Sequence, residues 1–133
     1  MTNDPIADLL IRIKNGGMVK KSEVRAPHSK VGEAILAVMK SAGFIAGFRV
    51  EDDAGRKTLA VVLRYDEGGR NVISGVRRVS SPSRHVYIAS RDIISHVRGK
   101  SKLGIISTSR GIMSHRQARE QNLGGELMGI IWS

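Results

Sequence analysis

Residues 44–65 set the tightest limit on what this chain can fold into. Residues 44–51 run out as an extended segment, Asp52-Asp53-Ala54-Gly55 supplies turn chemistry, and residues 57–65 run back. On the return, Leu59, Val61, Leu63 and Tyr65 alternate with Ala60, Val62 and Arg64, the two-residue period of a half-buried strand. This predicts a hairpin with an apolar face that needs cover. The preceding residues supply it. Asp4-Pro5 is a cap followed by proline at the first helical position, and Ile6, Leu9, Leu10 and Ile13 then form one helical stripe. Asn15-Gly16-Gly17 is predicted to end that helix. A short strand is expected at 24–26. Ser29 caps a second helix with the stripe Val31, Ala34, Ile35, Val38 and Ala42, closed by Gly43. Helix, strand, helix and hairpin make an α/β lobe over residues 1–66, with helices on one sheet face.

Asp66-Glu67-Gly68-Gly69-Arg70-Asn71 is polar, glycine-paired and short, and it marks the boundary to a second lobe, residues 67–133. Short strands are expected there at 72–79, 86–89, 103–106 and 127–132, the last nearly all apolar. A helical turn is expected near 92–97. After Ser107-Thr108-Ser109, read as a turn, comes a basic helix with the capping-box pair Ser114 and Gln117. The fold class expected is α+β: an α/β amino-terminal lobe associated with a mainly β carboxyl-terminal lobe that has one short helix.

Charge narrows the function. The net charge is +10 over 133 residues, which points to a polyanionic partner. Residues 1–66 carry 11 basic and 8 acidic side chains, whereas residues 67–133 carry 11 and 4. Nine of the latter eleven bases are arginine, whose planar donor fork suits phosphate. The carboxyl-terminal half is therefore the expected binding face. Cysteine is absent, which excludes disulfides and thiolate metal sites and fits a reducing cytoplasm. No apolar run approaches a membrane span, the amino terminus lacks a signal pattern, and a soluble protein is expected.

Enzyme signatures are missing. His28, His85, His96 and His115 show no metal-binding spacing, no phosphate-binding loop is present, and the serines lack a nucleophile-elbow context. No catalytic activity, metal or cofactor is expected. The nucleic-acid features are better developed. Ser107, Thr108 and Ser109 offer uncharged donors and acceptors beside Arg110, suited to a sugar-phosphate backbone. An ordinary hydroxyl-stabilised turn is the competing reading. Arg77-Arg78 in a strand puts one base on each sheet face. Arg84-His85-Val86-Tyr87 offers a base, an imidazole and a ring; Tyr87 can stack on a nucleobase or be buried. Gly124-Gly125 lets another backbone approach closely, and Glu126 can accept a base amino proton or anchor Arg110.

These residues carry a resemblance. Ser107-Thr108-Ser109-Arg110-Gly111-Ile112-Met113, then Gln117-Ala118-Arg119, Gly124-Gly125-Glu126 and a tail ending in Trp132, are similar to the carboxyl-terminal signature of the bacterial-type S-eight family of small-subunit ribosomal proteins. Asp4-Pro5-Ile6-Ala7-Asp8-Leu9-Leu10, Arg12-Ile13 and Ser29-Lys30 resemble that family's opening helices. The resemblance runs over essentially the whole chain. It implies a structural constituent of the small subunit, in the cytoplasm, that binds the central domain of small-subunit ribosomal RNA and helps its assembly. It implies RNA contacts at Ser107, Thr108, Ser109, Tyr87, Gly124, Gly125 and Glu126, with Lys30 on a phosphate and Arg110 in support; Arg84 is a further candidate from its charge beside Tyr87. Neighbouring ribosomal proteins are implied partners, as is the protein's own messenger where members act as autorepressors. The sequence departs from the family pattern at Lys100-Ser101-Lys102, in place of a glycine-leucine turn, and at Ser83-Arg84-His85. A messenger- or DNA-binding regulator is the alternative, and a membrane-surface protein is a weaker third because no basic amphipathic helix with exposed aromatics is visible.

Overall fold

The computed structural model describes residues 4–133. The Asp4 side chain accepts from the Ala7 N–H at 3.2 Å, Pro5 follows, and helix α1 spans Pro5–Met18. Leu9, Leu10 and Ile13 are buried along the predicted stripe. The glycine pair does not end the helix. Gly16 and Gly17 lie buried in its last turns, where a Cβ would strike Val24 and Asn71 respectively. These glycines permit close packing, a role that a sequence pattern does not distinguish from termination.

Strand β1 (Glu23–Pro27) leads to α2 (Lys30–Ser41), whose cap Ser29 accepts from the Gly32 N–H at 2.9 Å. The buried face of α2 is rotated from the predicted stripe: Gly32, Ile35, Leu36 and Met39 are inside, and Val31 is exposed. Gly32 lies on the buried face, where its missing side chain lets Leu9 and Leu59 approach the helix backbone. The hairpin follows as β2 (Ile45–Asp53) and β3 (Arg56–Leu63), joined at Ala54-Gly55, both with positive φ, as a two-residue turn requires. The antiparallel order is β1-β3-β2. Leu59, Val61 and Leu63 face the helices. On the outer face, Ala60 is opposite both Arg25 and Arg49, and these pair with Glu23 and Glu51. The hydrogen bond from Arg49 holds the Glu23 carboxyl below the ordinary carboxylate range. Two acids and two bases cancel, so this cluster offers no net charge to a polyanion.

Residues 66–71 are a tight turn rather than a slack linker. Asp66 Oδ1 accepts from the N–H groups of Gly68 and Arg70 at 2.8 and 2.9 Å, and Tyr65 bridges to Asn71. The second sheet contains β4 (Gly75–Arg78), β5 (Tyr87–Ile88), β6 (Lys102–Thr108), β7 (Gly111–Ser114) and β8 (Gly125–Trp132). A 3₁₀ turn at Ser90–Asp92 runs into the one-turn helix α3 (Ile93–His96), and α4 spans His115–Glu120 behind the predicted capping box. The last strand of the chain is central: β8 pairs with β4, β5 and β6, and β7 adds to β6.

Ser107-Thr108-Ser109 does not lead from a turn straight into a helix. Ser107 and Thr108 extend β6, Ser109-Arg110 form the tip, and β7 returns before α4 begins. Pairing with β6 satisfies the backbone of 111–114, and Gly111 at φ +108 closes the hairpin.

Two apolar clusters fill the molecule. The larger draws Leu9, Leu10, Ile35, Met39 and Leu59 together with Ile73, Leu103, Ile105, Met128 and Ile131, so residues from both sheets share it. The smaller, on the other face of the second sheet, joins Ile88, Ile93, Val97, Ile106, Ala118 and Leu127. Arg77-Arg78 splits as expected between faces. Arg77 is exposed, while Arg78 is half-buried and donates to Asp4 at 3.1 Å and to the Met128 carbonyl at 2.5 Å.

Candidate nucleic-acid interface

Strand register assembles the site. Tyr87 is opposite Glu126, Glu126 is opposite Ser107, and Ser107 is opposite Ile112, which makes one row across β5, β8, β6 and β7. Directly paired residues of antiparallel strands share a face, so these side chains project together. It is the face that carries Ile105 and Met128 and that the amino-terminal helices cover. The row lies at the margin of that face: Tyr87 is 73% exposed, Ser107 and Ile112 are half-buried, and the Glu126 side chain is 18% exposed. The buried reading of Tyr87 is thereby excluded.

His85, two residues before Tyr87, joins the row from the same side. Its Nδ1 lies 2.5 Å from Glu126 Oε2, and its ring stacks on Tyr87 with centroids 6.3 Å apart. Glu126 therefore anchors His85, not Arg110. Sequence reasoning named His85 without a role; it lies outside β5, and its place beside Tyr87 and Glu126 comes from the fold and not from strand spacing. Arg84 and Arg110 are exposed, and among the described residues neither has a carboxylate partner. Arg84 sits on a four-residue turn closed by reciprocal backbone bonds to Ser81, and the buried Ser80 pins that turn by accepting from the Val86 N–H at 3.0 Å.

The three hydroxyls are not equivalent. Thr108 Oγ1 donates to the Gly111 carbonyl at 2.8 Å and accepts from the Arg110 N–H at 3.1 Å, so its capacity is used in shaping the tip. Ser107 and Ser109 have no side-chain hydrogen bond within the described residues and remain available. Gly124 and Gly125 do allow a close backbone approach, but from within the protein. A Cβ on Gly124 would lie 2.6 Å from the Ile88 carbonyl oxygen, and one on Gly125 2.9 Å from the Ser107 carbonyl carbon. Their absence of side chains sets how tightly β5 and β6 flank β8. Lys30 stands apart, exposed at the first position of α2, and shares no hydrogen bond with the row.

His115 is bonded to β6 away from the row. It is buried, and its Nδ1 accepts from the Gly104 N–H at 3.0 Å, which places the ring proton on Nε2. Burial, with the nearby charge of Arg116, holds its pKa below the ordinary imidazole value. The unfolded chain therefore binds a proton at this residue before the folded chain does. The associated stability is intact above the unfolded value of about 6.5 and is lost as pH falls through the lower folded value. The unfolding midpoint should drop between pH 7.5 and 5 more steeply in the native protein than in His115→Gln. Parallel curves for the two proteins would show that His115 contributes no such linkage.

Such a surface offers hydroxyl donors, a stacking ring, an acceptor and, among the described residues, arginines without a carboxylate partner. Among the described residues no group of three or more His, Asp or Glu side chains is placed to hold a metal, and no helix is long and apolar enough to cross a membrane. Comparison with known proteins gives the same direction. The family described as Ribosomal protein S8 matches residues 4–132. The chain belongs to the ribosomal protein S8 family. Similar relatives include the small ribosomal subunit protein uS8 of Dehalococcoides mccartyi, 45% identical over 99% of this chain and 100% of the relative. Those of Sorangium cellulosum (42%, 99% and 100%) and Delftia acidovorans (46%, 97% of each) are comparable. S8 proteins are structural members of the small ribosomal subunit and not enzymes, so this S8-family chain is a structural ribosomal protein without catalytic function.

Proposed function

We propose that the chain binds the central domain of small-subunit ribosomal RNA directly and thereby helps that domain assemble. The observation that carries this is the row of Tyr87, Glu126 and Ser107, set by strand register at the margin of one sheet face, with the exposed Arg84 and Arg110 nearby in the chain. In this reading the carboxyl-terminal lobe, 67–133, holds the RNA, and the amino-terminal lobe, 1–66, adds a phosphate contact at Lys30. The arginines neutralise phosphates. Ser107 and Ser109 meet backbone oxygens and 2′-OH groups, and Tyr87 with His85 forms a stacking platform. The free Glu126 oxygen accepts from a base amino group. A smooth A-form duplex hides most base identity from side chains, so the site on the RNA is an irregular helix with exposed edges. A messenger segment that folds into the same shape would compete for the same row, which is the basis for repression of its own synthesis.

A salt titration of binding to a ribosomal RNA fragment, run on native protein and on the Ser107→Ala/Ser109→Ala variant, tests this. With about five phosphates neutralised, log K against log salt should slope at about −3.5 to −4.5. The double variant should bind roughly tenfold more weakly, from two lost hydrogen bonds of about 1 kcal/mol each at most, with an unchanged unfolding midpoint. Thr108→Ala should instead lower both, since its hydroxyl shapes the tip. A flat salt response, or tighter binding to duplex DNA under the same conditions, would overturn the proposal in favour of another mode or target.

A further inference from the structure

The far end of β6 opens on a second basic feature. A cleft of about 260 Å³ separates the carboxyl-terminal end of α2 from the loop before β6 and the start of α4. Val38, Ala42, Phe44 and Leu103 give it an apolar floor, and Lys100, Lys102 and Arg116 line it with charge. No acidic residue is among its walls. Among the described residues, none of these three bases is in an ion pair. The Arg116 guanidinium donates to the Lys100 carbonyl at 3.3 Å, which ties helix to loop and holds the charges as a group.

Distance separates this cleft from the RNA row. Lys102 begins β6 and Ser107 lies near its end. At about 3.3 Å per residue, five steps of strand place them roughly 16 Å apart. Size and lining choose the occupant. A space of this volume takes two or three side chains and not the backbone of a helix. A phosphate gains nothing from the apolar floor. A carboxylate-bearing peptide gains from both parts, with acids on Lys100, Lys102 and Arg116 and an aliphatic group against Phe44 and Leu103.

We propose that this cleft docks an acidic, partly aliphatic segment of a neighbouring protein in the ribosomal particle. The proposal rests on the placement of the chain in the small subunit, but not on the RNA row. Two arms test it. In the first, Lys100→Ser/Lys102→Ser is titrated with the ribosomal RNA fragment. Affinity within about twofold of native is expected, and a loss beyond about fivefold would make the cleft an RNA site and overturn the proposal. Failure of the native protein to bind the fragment at all would count against the RNA row alone. In the second, small subunits containing the protein with p-benzoylphenylalanine in place of Ser101 are irradiated, and lysine methylation is compared between free protein and subunit. The expected result is a crosslink to a protein segment with at least two acids, and protection of Lys100 and Lys102 in the subunit. A crosslink to RNA only, or lysines as reactive in the subunit as in free protein, would overturn it. Equal unfolding midpoints for native and variant proteins ensure that either loss is local.

Discussion

Gly125→Ala is expected to lower the unfolding midpoint by about 10 °C, from a loss of roughly 3 kcal/mol. Its Cβ would overlap the carbonyl of Ser107, a backbone atom held by β-sheet pairing, so no flexible side chain can move aside. Relief requires β6 and β8 to part where Ser107 and Glu126 face each other. RNA affinity should therefore fall with stability, unlike the serine variant. Gly47→Ala supplies the control, since nothing lies within 4 Å of a Cβ there. Melting curves of both variants decide the matter: equal midpoints would show that the sheet absorbs the extra carbon.

Asp4→Ala should cost a comparable amount, about 2–4 kcal/mol, because one carboxylate performs two tasks. It caps α1 through the Ala7 N–H, worth about 1 kcal/mol. It also pairs with Arg78 at 3.1 Å, where both side chains are less than a fifth exposed. Removing one member of such a pair leaves the other charge poorly solvated, which is the larger part of the cost. Asp4→Ser keeps a capping oxygen and loses the pair, so it should recover about 1 kcal/mol of the deficit. Denaturant midpoints measure both. Identical losses for the alanine and serine variants would show that the cap contributes nothing.

Local chemistry made much of the fold readable in the sequence. Asp4-Pro5, Ser29 and the Ser114/Gln117 pair are short-range capping devices, and each performs the predicted role. The alternation from Leu59 to Leu63 likewise survives as a strand facing the helices. The misreadings occurred where tertiary contacts override local pattern. Gly16-Gly17 looks like a helix end, yet Val24 and Asn71, distant in sequence, require the missing side chains. Val31 fits a helical stripe, but the buried face of α2 carries Gly32, Leu36 and Met39 against Leu9 and Leu59. The short strand β7 carries little periodicity and exists through its pairing with β6.

The candidate site was readable as residues but not as a surface. Tyr87, Glu126 and Ser107 are scattered over forty positions, and only the register of three strands lines them up. That His85 belongs with them, and that Thr108 is spent on its own hairpin, depends on distances that no spacing rule provides. Charge counting pointed to the carboxyl-terminal half of the chain. It did not reveal that Arg25 and Arg49 are already neutralised, nor that Lys100 and Lys102 form a separate cluster.

The position of β8 bears on how the protein is made. It is the final strand in the chain, yet it sits at the middle of its sheet and sends Met128 and Ile131 into the core shared with α1 and α2. During synthesis, β4 and β5 emerge with no sheet partner, and β6 with β7 alone, until residues 125–132 arrive. The last side chain to complete the RNA row is Glu126, supplied by that same strand. A nascent or prematurely terminated chain thus lacks both a closed core and a finished binding face. With the row as the proposed RNA-binding face, a chain that lacks residues 125–132 should compete poorly for the site on the RNA.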